Sequence, residues 1–182
     1  MLKPSFKILA RNWWPATVWL AIIRLESTDY ASSRNTFGLL YAVWRMIFGR
    51  VDPQLISLVN EVLRKSGHFL GYAILSALVF LALNHTNRDR LKPVLQRSWG
   101  TFFRDLWQFE WAVIAVLLPL ITASFDEIHQ TFLPSRTGAW QDVAIDTSGA
   151  VVMQLLIYVL SARAMSRRRR ASVEEPELSL TS

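Results

Sequence analysis

Three stretches of this chain are too long and too apolar to be surface helices of a small soluble protein. Apart from the histidine that opens the first, His68 to Leu83, Trp111 to Phe125 and Val143 to Ala162 hold one acidic or basic side chain between them, Asp146. A chain of 182 residues that is 52% hydrophobic and 19% charged has too little polar material to cover such segments, because a small globule exposes a large share of its surface. A bilayer removes the difficulty. Its hydrocarbon core takes about 20 apolar residues as a helix, and a helix satisfies its own backbone where no water can. A shorter fourth run, Trp13 to Ile23, has Arg11 and Arg24 at its ends, which can snorkel to opposite surfaces, and Leu25 to Ala31 can extend it. It follows Lys3, Lys7 and Arg11 as a secretory leader's apolar core would. Arg24, Leu25 and Glu26 come next instead of a small-residue cleavage site, so it reads as a retained first span.

The connecting segments are patterned as well. Phe37, Leu40, Tyr41, Trp44, Ile47 and Phe48 recur at helical spacing and predict an amphipathic helix lying at the membrane surface. Gly49 ends it. Asp52-Pro53 pairs a capping residue with a first-turn proline, predicting a helix that runs on into the second span. Asn84 to Arg104 is a basic connector, and Trp99, Phe102, Phe103, Leu106 and Trp107 predict a second interfacial helix. Pro119 predicts a kink in the third span. Asp126 to Gln141 reads as a short polar loop, and Gly149-Ala150 as a point of close helix contact. The expected fold is all-α: a polytopic, four-transmembrane-helix bundle with additional interfacial amphipathic helices. It divides into an N-terminus (1–12), a membrane domain (13–162) and a basic, then acidic, disordered tail (163–182).

Charge orients it. The net charge is +6. Thirteen Lys and Arg fall at the N-terminus, in the middle connector and after the last span, against six in the other two connectors. Both termini are therefore expected in the cytoplasm. Arg167 to Arg170, directly after an apolar span, read as a stop-transfer signal and anionic-lipid anchor rather than as a nucleic-acid site. The chain has no cysteine, which excludes disulfides and cysteine-based metal or redox sites.

On this topology the ionisable residues collect at the outer face. Lys65 and His68 begin the second span, Asp126, Glu127, His129 and Gln130 end the third, and Arg136, Asp142 and Asp146 lead into the fourth. Asp126 shares a helix face with His129 and Gln130 at spacings of three and four, and Glu127 points elsewhere. Asp142 and Asp146, four apart, need a cation between them, which Arg136, Lys65 or His68 would supply. Charged groups at the rim of a span are costly and mark either structural ion pairs or a site. His68, His129 and the carboxylates would also serve a divalent metal, although no cofactor and no diagnostic ligand spacing is legible.

These stretches resemble the VanZ-like family of bacterial membrane proteins. The resemblance rests on Lys65-x-x-His68-Phe69-x-x-Tyr72, Asp126-Glu127-x-x-Gln130, Pro134-x-Arg136, Asp142, Asp146 and Gly149, with a compatible Ser27-Thr28-Asp29, and covers residues 13 to 162. Charged Arg24 and Glu26, and Gly71 before the tyrosine, depart from the pattern. The resemblance implies a four-span protein of the bacterial cytoplasmic (inner) membrane, and the family takes its name from a member linked to low-level teicoplanin resistance. Two functions follow as expectations. One is binding of membrane lipid or a lipid-linked cell-wall precursor at the polar cluster. The other is an enzyme acting on a lipid headgroup or a phosphate- or glycan-bearing envelope substrate, with Asp126 or Glu127 as base, His68 or His129 as acid/base partner, and Arg136 or Lys65 as anion clamp. A channel is disfavoured by the scarcity of polar residues in the span middles. The sequence names no oligomeric state.

The topology is directly testable, because any introduced cysteine is unique. An impermeant thiol reagent on intact cells is expected to label Ser135→Cys and to spare Ser98→Cys. The reverse pattern would put the cluster in the cytoplasm.

Overall fold

The computed structural model describes residues 6–26, 33–50, 52–91, 108–132 and 139–179. They form five helices and, among the described residues, no strand: α1 (Phe6–Glu26), α2 (Ser33–Phe48), α3 (Pro53–Leu91), α4 (Phe109–Gln130) and α5 (Trp140–Ser179). Local chemistry accounts for the boundaries. Gly49 ends α2 at a φ of 74°, in the left-handed region that glycine enters without steric cost. The Asp52 carboxylate accepts from the Gln54 backbone N–H at 2.9 Å, and Pro53 opens α3 where its missing N–H costs nothing. α3 then runs unbroken through the second apolar stretch, as expected. The second interfacial helix predicted around Trp99 to Trp107 lies outside the described residues.

Three helices among the described residues, not four, are long and apolar enough to cross a membrane: Pro53–Asn87 of α3, Phe109–Gln130, and Trp140–Ala164 of α5. α1 has the length, at 21 residues, but also carries Lys7, Arg11, Asn12, Arg24 and Glu26, which lower its hydropathy. Two further boundaries differ from the sequence reading. α4 continues through Asp126 to Gln130, so that stretch is helix rather than loop. α5 extends through the arginine run to Ser179, where composition favours disorder from Ala171. Nothing between Ala162 and Val173 is a helix breaker.

α3 is the hub. α1, α2, α4 and α5 all pack on it, and α4 and α5 also pack on each other. The core joins Ala16 and Ile23 of α1, Tyr72, Leu75, Val79 and Phe80 of α3, and Ala112, Ala115 and Ala123 of α4. α1 lies antiparallel along α3. Asn12 donates to Thr86 at 3.4 Å near one end, and the Trp19 indole N–H donates to the Gly71 carbonyl at 2.9 Å near the other. The outer surface is apolar: Val113, Leu117, Ile121 and Phe125 stand exposed on α4 at four-residue spacing. The interior instead holds Ser76, Asp126, Asp146 and Gln154. A protein that is greasier outside than at parts of its core suits a lipid solvent.

α3 and α5 approach closely at Gly149, which is buried against the α3 backbone. A Cβ there would run into the Phe69 carbonyl. One turn on, the Ser76 hydroxyl donates to the Ala150 carbonyl at 3.3 Å, and the Gln154 amide donates to Ser76 Oγ at 2.8 Å. Small residues that let backbones meet, locked by polar side chains, are how helices associate where water supplies no hydrophobic drive. Spare hydroxyls in the spans bond their own helix: Thr122 Oγ1 donates to Leu118 and Pro119 carbonyls at 2.7 and 2.9 Å, beside the proline.

Gly149→Ala is expected to destabilise the detergent-solubilised protein by about 1–3 kcal/mol, the usual cost of overpacking a contact that cannot relax. Gly67→Ala, in the same α3 helix but with no neighbour within 4 Å of the new methyl, should be neutral or stabilising by up to about 1 kcal/mol. Thermal unfolding of the two variants side by side checks this, and equal effects would place the close contact elsewhere.

Candidate functional site

Among the described residues, four carboxylates are buried at one end of the bundle: Asp126, Glu127, Asp142 and Asp146. They reach it from two helices. α4 ends there, α5 begins there, and the first half of α3 and the last turn of α1 pass beside them. Each carboxylate meets a different partner.

Asp126 is held from both sides. Arg24 Nη1 of α1 donates to one oxygen at 2.8 Å, and Gln130 Nε2 donates to the other at 3.1 Å. The sequence reading leaves Arg24 at the membrane surface. It instead turns in, with its side chain 45% exposed, and ties α1 to α4. Glu127 does not point away from the site. It is buried and accepts from the Ala139 backbone N–H just ahead of α5.

The helical arc explains which α4 residues take part. At about 100° per residue, Gln130, Ala123 and Pro119 all fall within about 60° of Asp126 on one side, with Glu127 at the edge of the same arc. His129 falls about 60° off on the other. Accordingly Pro119, Ala123, Asp126, Glu127 and Gln130 are buried, and His129 is exposed. A spacing of three is thus compatible with contact but does not secure it. Among the described residues no group of three or more histidines and carboxylates is placed to hold a metal ion, so the His68–His129 metal arrangement does not form.

Asp142 and Asp146 face α3, four residues apart. Arg64 and His68 face them with the same spacing. Arg64 reaches Asp142 at 3.1 Å, and His68 Nδ1 lies 3.3 Å from Asp146 Oδ1. The result is a two-rung ladder between helices, and it answers the like-charge repulsion that the Asp142/Asp146 spacing would otherwise impose. The lower rung is imperfect. His68 Nδ1 and Asp146 Oδ1 are close, yet neither makes an aligned hydrogen bond, and both atoms are buried. Charge attraction survives poor alignment better than a hydrogen bond does, so the contact acts as an ion pair when His68 is protonated.

Lys65 stands apart from the ladder. It bonds Glu61 on its own helix at 2.5 Å, with both side chains substantially exposed. Arg64, Lys65, His68, Asp142 and Ile145 line a closed crevice at the ladder's edge that has no room for a water molecule. Tyr72, one turn below His68, is buried where Asp126, Glu127, Asp146 and Arg24 all act on it electrostatically. Arg136 lies outside the described residues. The structure therefore brings His68, Asp126, Glu127, Gln130, Asp142 and Asp146 to one end of the bundle, leaves Lys65 at its rim, and turns His129 out.

Arg24 and Arg64 are the residues that sequence reasoning undervalued. A charged residue in the last turn of a span and a second cation beside Lys65 were the available signals. Choosing between Arg64 and Lys65 required knowing which faces α5.

The VanZ/LLP1 family model matches residues 13–161, a range that contains every residue of the cluster. No curated protein and no solved structure matches the chain.

Breaking one side of the Arg24–Asp126 pair leaves a buried carboxylate uncompensated. Arg24→Gln is expected to cost about 2 kcal/mol, below the full penalty for buried pairs because Arg24 is half open to its surroundings. Arg24→Gln combined with Asp126→Asn should recover most of that loss. Unfolding midpoints of the two single variants and the double variant measure the coupling; additive losses would mean the pair contributes nothing.

Proposed function

The chain belongs to the VanZ/LLP1 family, and on that premise we propose that it is a four-span integral membrane protein of the bacterial envelope whose polar cluster binds the phosphate-bearing headgroup of a lipid or lipid-linked cell-wall precursor. The fourth span is α1. Its composition is borderline, but it lies along α3 from Thr86 to Gly71 and reaches the cluster through Arg24. Buried pairing of that arginine offsets the cost of carrying it into the bilayer.

The observation that carries the binding reading is the cation arrangement at the crevice. Arg64 and His68 are committed to buried carboxylates, whereas Lys65, among the described residues, is held by exposed Glu61. Exposed pairs within a helix exchange readily for a better partner. A phosphate at this rim would draw Lys65 from Glu61 and sit outside the closed crevice, beside Arg64. Asp142 and Asp146 keep those two side chains extended toward the rim, which is preorganisation. Capture of a precursor headgroup would change its accessibility to a glycopeptide, and a role in resistance of the kind the family name suggests follows from that.

A second reading has one observation in its favour. His68 lines the crevice with Asp146 behind it, the arrangement by which a carboxylate orients an imidazole for acid–base work. In that case the acid–base role falls to His68. Asp126 and Glu127, proposed as bases from sequence, are each occupied by a structural donor.

Reconstituted protein is expected to bind a polyprenyl-pyrophosphate-linked precursor, and Lys65→Gln to weaken that affinity about ten-fold, the worth of one charged hydrogen bond, at unchanged thermal stability. Wild-type affinity no greater than for a zwitterionic lipid would end the binding reading. Conversion of the precursor, lost in His68→Gln with binding retained, would replace it with the enzymatic one.

A further inference from the structure

The opposite end of the bundle carries a second feature, independent of the cluster. Between the first half of α4 and residues 151–158 of α5 lies an open groove of about 470 Å³, within the range of small-ligand sites. Phe109, Val113 and Leu117 form one wall, and Val151, Leu155 and Tyr158 the other. It falls entirely within the two segments apolar enough to cross a membrane. At Tyr158 it meets a second hollow of about 410 Å³, whose lining changes character: Val159 and Ala162 give way to Arg163, Ser166 and Arg167. Arg163, Ser166 and Arg167 are all exposed. Along α5, Val151 and Arg163 are separated by about 18 Å at 1.5 Å per residue.

Apolar walls at hydrocarbon depth, leading to two cations at the end of the span, match the two halves of one molecule. We propose that this continuous surface is a specific site for an anionic glycerophospholipid: one acyl chain lies in the α4–α5 groove, and the phosphate sits on Arg163 and Arg167, with the Ser166 hydroxyl between them.

The charge pattern selects the occupant. A zwitterionic lipid brings its own cation to the same place and gains less from two arginines, whereas a net negative headgroup gains from each of them. A guanidinium also fits a phosphate in a two-point grip, which a simple point charge does not offer. The groove adds what the surface charge alone lacks. A bulk anionic-lipid atmosphere needs no shaped apolar slot, while a resident lipid does, and filling the slot should release it.

Native mass spectrometry of the full chain, released from mixed micelles of phosphatidylglycerol and phosphatidylcholine with matched acyl chains, tests this. Wild-type protein is expected to retain phosphatidylglycerol preferentially. Arg163→Gln with Arg167→Gln should reduce that retention about ten-fold and leave phosphatidylcholine unchanged. Val113→Trp, at a position already 38% exposed, should fill the groove and reduce retention without removing any charge, and an unchanged thermal midpoint would show that the variant folds. Equal retention of the two lipids by wild type, or retention of neither, would overturn the proposal. Phosphatidylglycerol binding untouched by Val113→Trp would reduce the site to unspecific surface charge and overturn it as well.

Discussion

A carboxylate taken out of water costs several kcal/mol unless a cation or a set of donors replaces its hydration. Four of them are buried at one end of this bundle, and the arrangement of the helices there can be read as the answer to that cost. Arg24 and Gln130 serve Asp126, the Ala139 backbone serves Glu127, Arg64 serves Asp142, and His68 stands against Asp146. Each pairing joins two elements or closes the end of one. Remove the carboxylates and α1 loses its polar tie to α4, while α5 loses its registration on α3.

The same constraint separates the two ends of the molecule. At the carboxylate end the interior is polar and closely matched. At the other end α4 and α5 diverge enough to leave an apolar groove, and the charges there, Arg163 and Arg167, are exposed rather than buried. Between the two ends, contact depends on shape. Gly149 admits the α3 backbone, and Ser76 and Gln154 bond across the seam. Three means of helix association, namely charge pairing, close backbone approach and side-chain hydrogen bonds, thus follow one another along α5. None relies on expelling water from apolar surface, which lipid would not reward.

The ladder is incompletely satisfied. A purely structural ion pair gains most when every donor and acceptor is used. His68 and Asp146 are close but poorly aligned, and Lys65 stands beside them on an exposed, exchangeable pair. On the proposed reading, that unspent bonding capacity is what a bound headgroup would use.

The sequence by itself determined the helical class, the three strongly apolar segments, the start of α3 at Asp52-Pro53, the break at Gly49 and the small-residue contact at Gly149, because each is a local matter of hydropathy, backbone freedom or capping. It also gathered most of the cluster, since residues near the ends of successive antiparallel helices return to the same level. Only the tertiary structure decided which of those residues meet. Whether Arg64 or Lys65 faces Asp142, whether Gln130 or His129 turns inward with Asp126, and whether Arg24 reaches lipid headgroups or a buried carboxylate depend on the rotation of each helix about its axis. That rotation is set by the sum of packing along the whole bundle, and a difference of one residue, about 100° of arc, exchanges a buried partner for an exposed side chain.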